Sequence, residues 1–152
     1  MSQIDARSQT RKRDTLPFRL SATVSRRWAV LATEPVPAGL RPLANGWLAV
    51  NPYRSDVAAA AIGGLAYGRH CAQCHGTDSA RSVPEAPDLR RLNSFCNRLN
   101  QAELKPRCLA DVDAYYLLSV RDGKLRAGLR HMPAWEGQLP QETIWAIRSF
   151  TE

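Results

Sequence analysis

Hydrophobic positions along the chain recur at helical spacing in three places and at strand spacing in none. The first run follows Ser55, a good N-cap residue, with Asp56 favourable at the positive end of the helix dipole. Ala58, Ala61, Ile62 and Leu65 form its apolar stripe, and it extends to about His70. Gly63 and Gly64 fall inside this run. Each costs about 1 kcal/mol in a helix interior, so another backbone or ring is expected to approach closely there. A second helix is predicted over Leu109–Arg121, striped by Leu109, Val112, Tyr116 and Val120, with Gly123 as its stop. A third starts near Pro140, where Ile144, Ile147 and Phe150 face one way beside Trp145 and Arg148. Residues 76–107 read as loop, punctuated by Gly76, Pro84 and Pro87, with a short helix near Arg90–Leu99. Residues 123–138 read as a second loop, and there is no internal repeat. The pattern predicts an all-α domain of three or more helices.

The chain before Ser55 has no such period. Pro35, Pro37, Pro42 and Pro52, with Gly39 and Gly46, predict an extended arm over residues 35–54. Leu40, Leu43, Trp47 and Leu48 are its candidates for packing along the domain surface. Residues 1–34 are rich in Ser, Thr and Arg and read as a leader, either disordered or a misassigned start. Arg26-Arg27-Trp28 faintly resembles a twin-arginine export signal. The apolar stretch Trp28–Ala32 is only five residues, however, against the roughly 7–15 that a secretory signal needs. The organisation expected is therefore leader 1–34, arm 35–54 and helical domain 55–152.

Length and charge narrow this further. The 152 residues fit one domain, and no apolar run approaches the ~18 residues of a membrane span. The net charge is +7, of which +4 lies in residues 1–34 and +3 in the rest. The basic balance thus says little about the folded part. No Walker loop, zinc-finger spacing or basic stripe interleaved with aromatics is present, so no nucleic-acid partner is expected.

The specific chemistry lies in Cys71-Ala72-Gln73-Cys74-His75, a C-x-x-C-H motif. Two thiols three residues apart can each add to one vinyl group of a haem, and the following imidazole is then held beneath the ring to bind iron. A thioredoxin-like dithiol also uses C-x-x-C but expects a βαβ setting, which the pattern lacks. A zinc site needs a second Cys or His pair at suitable spacing, which Cys96 and Cys108 do not supply. With haem in place, a sixth ligand is sought. Met132, on the loop before the last helix, is the leading candidate, since Met1 is the only other methionine. The bland alternative for Met132 is core filler. His131 is adjacent and competes as ligand, whereas His70 is expected to point away from the ring.

Gly63, Tyr67, Cys71, Cys74 and His75, then Pro87-Asp88-Leu89, Val120-Arg121-Asp122-Gly123, Met132-Pro133 and Ile144-Trp145-Ala146-Ile147 with Phe150 resemble a class I cytochrome c in order and spacing. The resemblance implies an all-α cytochrome c fold around one covalent haem c. It implies thioethers from Cys71 and Cys74, axial ligation by His75 and Met132, and a Pro87 carbonyl that accepts the other ring N–H of His75. It also implies that Gly63 lets the first helix touch Phe150. Trp135 is expected to line the haem edge or pack in the core. Gly39-Leu40-Arg41-Pro42-Leu43, Asn51-Pro52-Tyr53-Arg54, the Cys96/Cys108 pair and Ala110-Asp111-Val112-Asp113-Ala114-Tyr115-Tyr116 are similar to the cytochrome c-550 group. That group accepts electrons from pyrroloquinoline-quinone alcohol dehydrogenases.

The function so implied is one-electron transfer by a monomer, from a periplasmic quinoprotein alcohol dehydrogenase towards an oxidase or another cytochrome, with no bond made or broken in a substrate. Cys96 and Cys108 would form a disulfide in that oxidising compartment. Electrons would leave by the haem edge near Cys71, Cys74 and the Met132 loop, with Arg69, Arg81 and Arg130 as bordering charges. The alternatives are a haem sensor or peroxidase-like enzyme with Met132 displaced, and a haem-free dithiol protein.

Overall fold

A computed structural model describes residues 33–80 and 86–152. The readings made on residues 1–32, Arg81 and Pro84 lie outside them. In chain order the elements are α1 (Val57–His70), α2 (Ala72–His75), a 3-10 turn (Leu89–Arg91), α3 (Ser94–Asn97), α4 (Leu104–Asp122), β1 (Lys124–Arg126), β2 (Leu129–Met132) and α5 (Gln141–Phe150).

Helix α1 starts one residue later than its sequence suggests. Asp56 is the N-cap and accepts from the Ala59 N–H at 2.9 Å, while Ser55 takes a positive φ of 66° in the turn before it. The buried face also differs from the predicted stripe. Ala59, Gly63, Ala66 and Tyr67 point inward, while Ala58, Ala61 and Leu65 are exposed and Ile62 is half-buried. From Val57 to Gly68 the helix carries no charge, so hydrophobicity alone does not mark its inner face. The smallest side chains do, because α5 comes so close.

A Cβ placed on Gly63 would lie 1.9 Å from the Ala146 carbonyl oxygen and 2.7 Å from the Ile147 nitrogen. The neighbour of Gly63 is therefore the α5 backbone and not Phe150, correcting the expectation above. Phe150 meets Gly64 instead, at 3.0 Å from the would-be Cβ, and its ring lies tilted at 44° to that of Tyr67 with centroids 5.1 Å apart. Phe150 itself stays 37% exposed, which a buried stripe did not predict.

Helix α4 is longer than predicted, because Pro106 sits in its first turn, where the missing N–H has no intrahelical acceptor anyway. It ends at Gly123 with φ 73°, as anticipated. Helix α5 begins after Pro140 and buries Glu142 through Arg148 on all sides. The loop expected after α4 contains a β-hairpin instead. Lys124–Arg126 pairs antiparallel with Leu129–Met132 around Ala127-Gly128, both at positive φ. Such a two-residue turn matches strand twist, and Ala-Gly is a weak sequence signal for it.

The arm packs as expected and is tied at both ends. Leu40 and Tyr53 enter the core, and Leu43, Trp47 and Leu48 are half-buried. The Leu43 N–H donates to Glu142 Oε1 at 2.9 Å, and Leu48 N–H donates to Gln141 Oε1 at 3.2 Å. Contacts begin upstream of the arm, with Thr33 Oγ1 donating to Gly137 O and Glu34 N–H to Gln138 O. Near the arm's end, Asp113 Oδ2 accepts from the Asn51 N–H at 2.9 Å and from Arg54 Nη2 at 2.5 Å. Its Oδ1 accepts from Arg148 Nε at 3.1 Å, and both Asp113 and Arg148 are fully buried.

Two glycines of α1 should respond oppositely to the same substitution. Gly63→Ala must push α5 away and should lower stability by about 3 kcal/mol or abolish folding. Gly68→Ala meets nothing within 4 Å and should raise stability by about 0.5–1 kcal/mol. Urea denaturation of both variants checks the pair.

Candidate functional site

Helix α1 runs straight into the C-x-x-C-H motif. The Cys71 N–H donates to Tyr67 O at 2.9 Å, and His75 N–H donates to Cys71 O at 3.0 Å, so the motif is one helical turn. Gly76, at φ 81°, turns the chain out of it. The Tyr67 hydroxyl donates to Gly76 O at 2.6 Å and fixes that exit. Burial pushes the Tyr67 phenol up to about 12, so it stays a donor throughout the neutral range.

His75 is buried, and its Nδ1 donates to Pro87 O at 3.1 Å. That bond puts the proton on Nδ1 and leaves the Nε2 lone pair available. The Pro87 carbonyl is presented by a segment that Asp88 organises. The Asp88 carboxylate accepts from the Arg90 N–H at 3.1 Å to start the 3-10 turn, and the Arg90 guanidinium hydrogen-bonded to it holds that carboxyl below its ordinary range.

Met132 ends β2. Its backbone crosses over Gly123, where an added Cβ would lie 2.5 Å from Met132 O and 2.8 Å from Ala134 N. Gly123 is therefore more than a helix stop, since it lets the Met132 segment pass directly over the end of α4. Trp135 N–H donates to Val120 O at 3.0 Å, and Leu139 N–H donates to Trp135 O, which pins the next turn.

Cys71, Cys74, His75, Pro87, Met132 and Trp135 all line one cavity of about 490 Å³. Leu89, Leu92, Val120 and Ile147 make its walls apolar. Cys71 and Cys74 are free thiols, half-buried and exposed respectively. Burial, and then the neighbouring Cys74, push the Cys71 thiol up to about 12. A dithiol oxidoreductase needs a thiol depressed towards neutral, so the geometry disfavours that reading. Cys96 and Cys108 are joined as a disulfide between α3 and α4, with Cα atoms 5.6 Å apart. Among the described residues no cluster of His, Cys, Asp or Glu could hold a bare metal ion, and no helix is long and apolar enough to cross a membrane.

The cavity also includes residues to which the sequence reading gave no place there. Tyr115 and Ser119 line it beside Tyr116 and Val120, making two adjacent rows at i, i+4 on α4. Lys124, Leu125 and Arg126 reach it from the unforeseen hairpin. His70 lines it as well, although its Nε2 lies 3.2 Å from Glu34 Oε1. His131 lines it but is otherwise exposed, while Arg69 and Arg130 are exposed outside it.

The family model described as cytochrome C oxidase, cbb3-type, subunit III matches residues 58–150. Among curated proteins, the chain is 37% identical over 118 residues to Cytochrome c550 of Pseudomonas aeruginosa, covering 75% of this chain and 71% of that one. No solved structure matches the chain significantly.

The two motif thiols should differ in reactivity when the chain is made without cofactor. Cys74 should alkylate at neutral pH at least about tenfold faster than Cys71, whose rate should still climb as pH rises towards 10. Iodoacetamide labelling followed by peptide mapping reads both sites.

Proposed function

The chain belongs to the cytochrome c family, as a haem c electron carrier, and on that premise we propose the roles of its cavity residues and its partners. Cys71 and Cys74 would hold the porphyrin through thioethers, and His75 and Met132 would supply the protein ligands of its iron. The observation that carries this reading is the buried His75 ring, locked by Pro87 O into the tautomer whose Nε2 is free, lining one cavity with both free thiols and Met132.

The residues fit a haem on the chemistry of that donor set. When bound, the haem supplies a one-electron Fe(III)/Fe(II) couple. The chain's part is to hold and tune it. Hydrogen bonding to Pro87 O makes the His75 imidazole a stronger donor and fixes its orientation. Met132 offers a neutral thioether, which favours the reduced state and raises the potential. Leu89, Leu92, Val120 and Ile147 keep water from the cavity walls. Gly123 beneath the Met132 segment and the Trp135 turn after it brace that side, which would keep Met132 in place beside the group.

For partners, the resemblance to the cytochrome c-550 group supports a quinoprotein alcohol dehydrogenase as donor and an oxidase or another cytochrome as acceptor. The periplasm suits both covalent haem attachment and the Cys96–Cys108 disulfide. In this role the chain transforms no substrate and is not an enzyme.

Export-directed protein should give a pyridine haemochrome spectrum of one haem c per chain, and a colourless product of bare-chain mass would overturn the reading. Met132→Ala in that holoprotein should abolish the thioether-to-iron charge-transfer band. It should also lower the potential by on the order of 0.1 V, a fraction of the ~0.8 V that axial ligands span. An unchanged ferric spectrum would mean that Met132 is not the ligand.

A further inference from the structure

Pro87 is exposed, yet its carbonyl oxygen lies 3.1 Å from His75 Nδ1. Burial of its own ring is not what holds it there. Buried Ala86 anchors it on one side. On the other, two residues on, the Leu89 N–H donates to Ser79 O at 2.9 Å. Ser79 is itself fixed. It is buried, and its φ of 56° lies in the left-handed region, which a non-glycine residue keeps only when its surroundings require it. Its N–H donates to Gly76 O at 3.2 Å, and that same carbonyl accepts the Tyr67 hydroxyl at 2.6 Å. A series of hydrogen bonds thus leaves α1 at Tyr67 and passes through Gly76, Ser79 and Leu89. It arrives two residues from the carbonyl that meets the His75 ring.

The phenol oxygen is not needed for packing. Tyr67 is fully buried and its ring meets Phe150, a contact that a phenylalanine would make as well. A buried hydroxyl costs free energy unless it is hydrogen-bonded, and Gly76 O is the acceptor here. The bond is the shorter of the two that Gly76 O accepts. It also comes from a helix seated on the α5 backbone at Gly63, whereas the Ser79 N–H belongs to the loop itself. The rigid end of the series is therefore Tyr67.

We infer that Tyr67 is a positioning residue for the His75 ligand: its hydroxyl, acting through Gly76, Ser79 and Leu89, keeps Pro87 O on the His75 Nδ1–H. The inference rests on the function proposed above and deepens it, since it names what sets the strength of that ligand. A full bond to Pro87 O makes the imidazole a stronger donor, which favours the oxidised state. When the series loses its hold on α1, Pro87 O spends more time off the ring. The imidazole then weakens as a donor and the potential rises. That sign is opposite to the effect of losing a thioether at Met132, which lowers the potential.

The test is Tyr67→Phe in the purified holoprotein, beside Asp56→Ala, which removes the N-cap of α1 and weakens the same helix without touching the series. The two are compared by NMR in the ferrous state at equal global stability. The His75 Nδ1 proton and the Leu89 amide should exchange with solvent about five- to tenfold faster in Tyr67→Phe than in Asp56→Ala, the effect of one net hydrogen bond. Voltammetry should place the Tyr67→Phe potential about 20–30 mV above wild type, a two- to threefold loss of ferric preference at about 59 mV per tenfold. Asp56→Ala should stay at the wild-type value. Equal exchange in the two variants, or a Tyr67→Phe potential at or below wild type, would overturn the inference. Should Tyr67→Phe not fold, the wild type decides alone. Its His75 ring proton and Leu89 amide must exchange through one opening, with the same dependence on denaturant, and a ring proton that exchanges independently of Leu89 breaks the link. Wild-type protein that takes up no haem would instead sink the underlying function, and this inference with it.

Discussion

The contact between α1 and α5 at Gly63 is the constraint from which the site follows. Two helix backbones touch there, with the Ala146 carbonyl occupying the space of a side chain. Such proximity sets where α1 ends relative to the core. Because the C-x-x-C-H turn follows directly on α1 and is tied to it by the Cys71 N–H to Tyr67 O bond, it also sets where both thiols and the imidazole stand. Tyr67, one turn further along the same face, then meets Phe150 on one side and the Gly76 carbonyl on the other. The absence of one methyl group is therefore felt from the helix crossing to the mouth of the cavity.

The opposite side of the cavity is positioned by polar bonds. Asp113, buried in α4, accepts from Asn51 and Arg54 of the arm and from Arg148 of α5 at once. Arg148 in turn donates to Asn93 before α3 and lies over the Tyr116 ring at 5.5 Å. A buried ion pair adds little net stability unless its remaining hydrogen bonds are filled. Here the carboxylate of α4 is filled by three donors from two other segments, the arm and α5, so the cluster specifies which surfaces of arm, α4 and α5 meet. Its neighbours Tyr116 and Ile147 form the cavity wall.

Much of this was legible in the sequence, for reasons that can be named. Gly123, Pro140 and the glycine pair of α1 mark positions where backbone geometry leaves little choice of residue, and each marks a real boundary or approach. The motif is legible because C-x-x-C-H fixes a local geometry within five residues, whereas the Pro87 carbonyl, twelve residues on, is reached only through the family resemblance. The face of α1 was misread because every candidate stripe was apolar, and contact with another backbone selected the smallest residues. Phe150 was assigned to Gly63 when one residue along was correct, since the pattern gives a crossing but not its register. The hairpin was invisible because its strands are short and largely exposed, lacking the inside–outside alternation that betrays a strand. The pairing of Glu34 with His70 joins residues 36 positions apart through an arm with no regular structure, and no local pattern encodes it.

The burial of Cys71 has a consequence for how four cysteines are sorted. Four thiols admit three complete pairings, and an oxidising environment does not by itself choose among them. Cys96 and Cys108 are separated by only twelve positions and brought together by α3 and α4. Cys71, by contrast, keeps its proton deep into the alkaline range and so attacks other sulfurs slowly. The fold therefore brings one pair of sulfurs within bonding reach and keeps the other two apart from it, one shielded and one open to solvent.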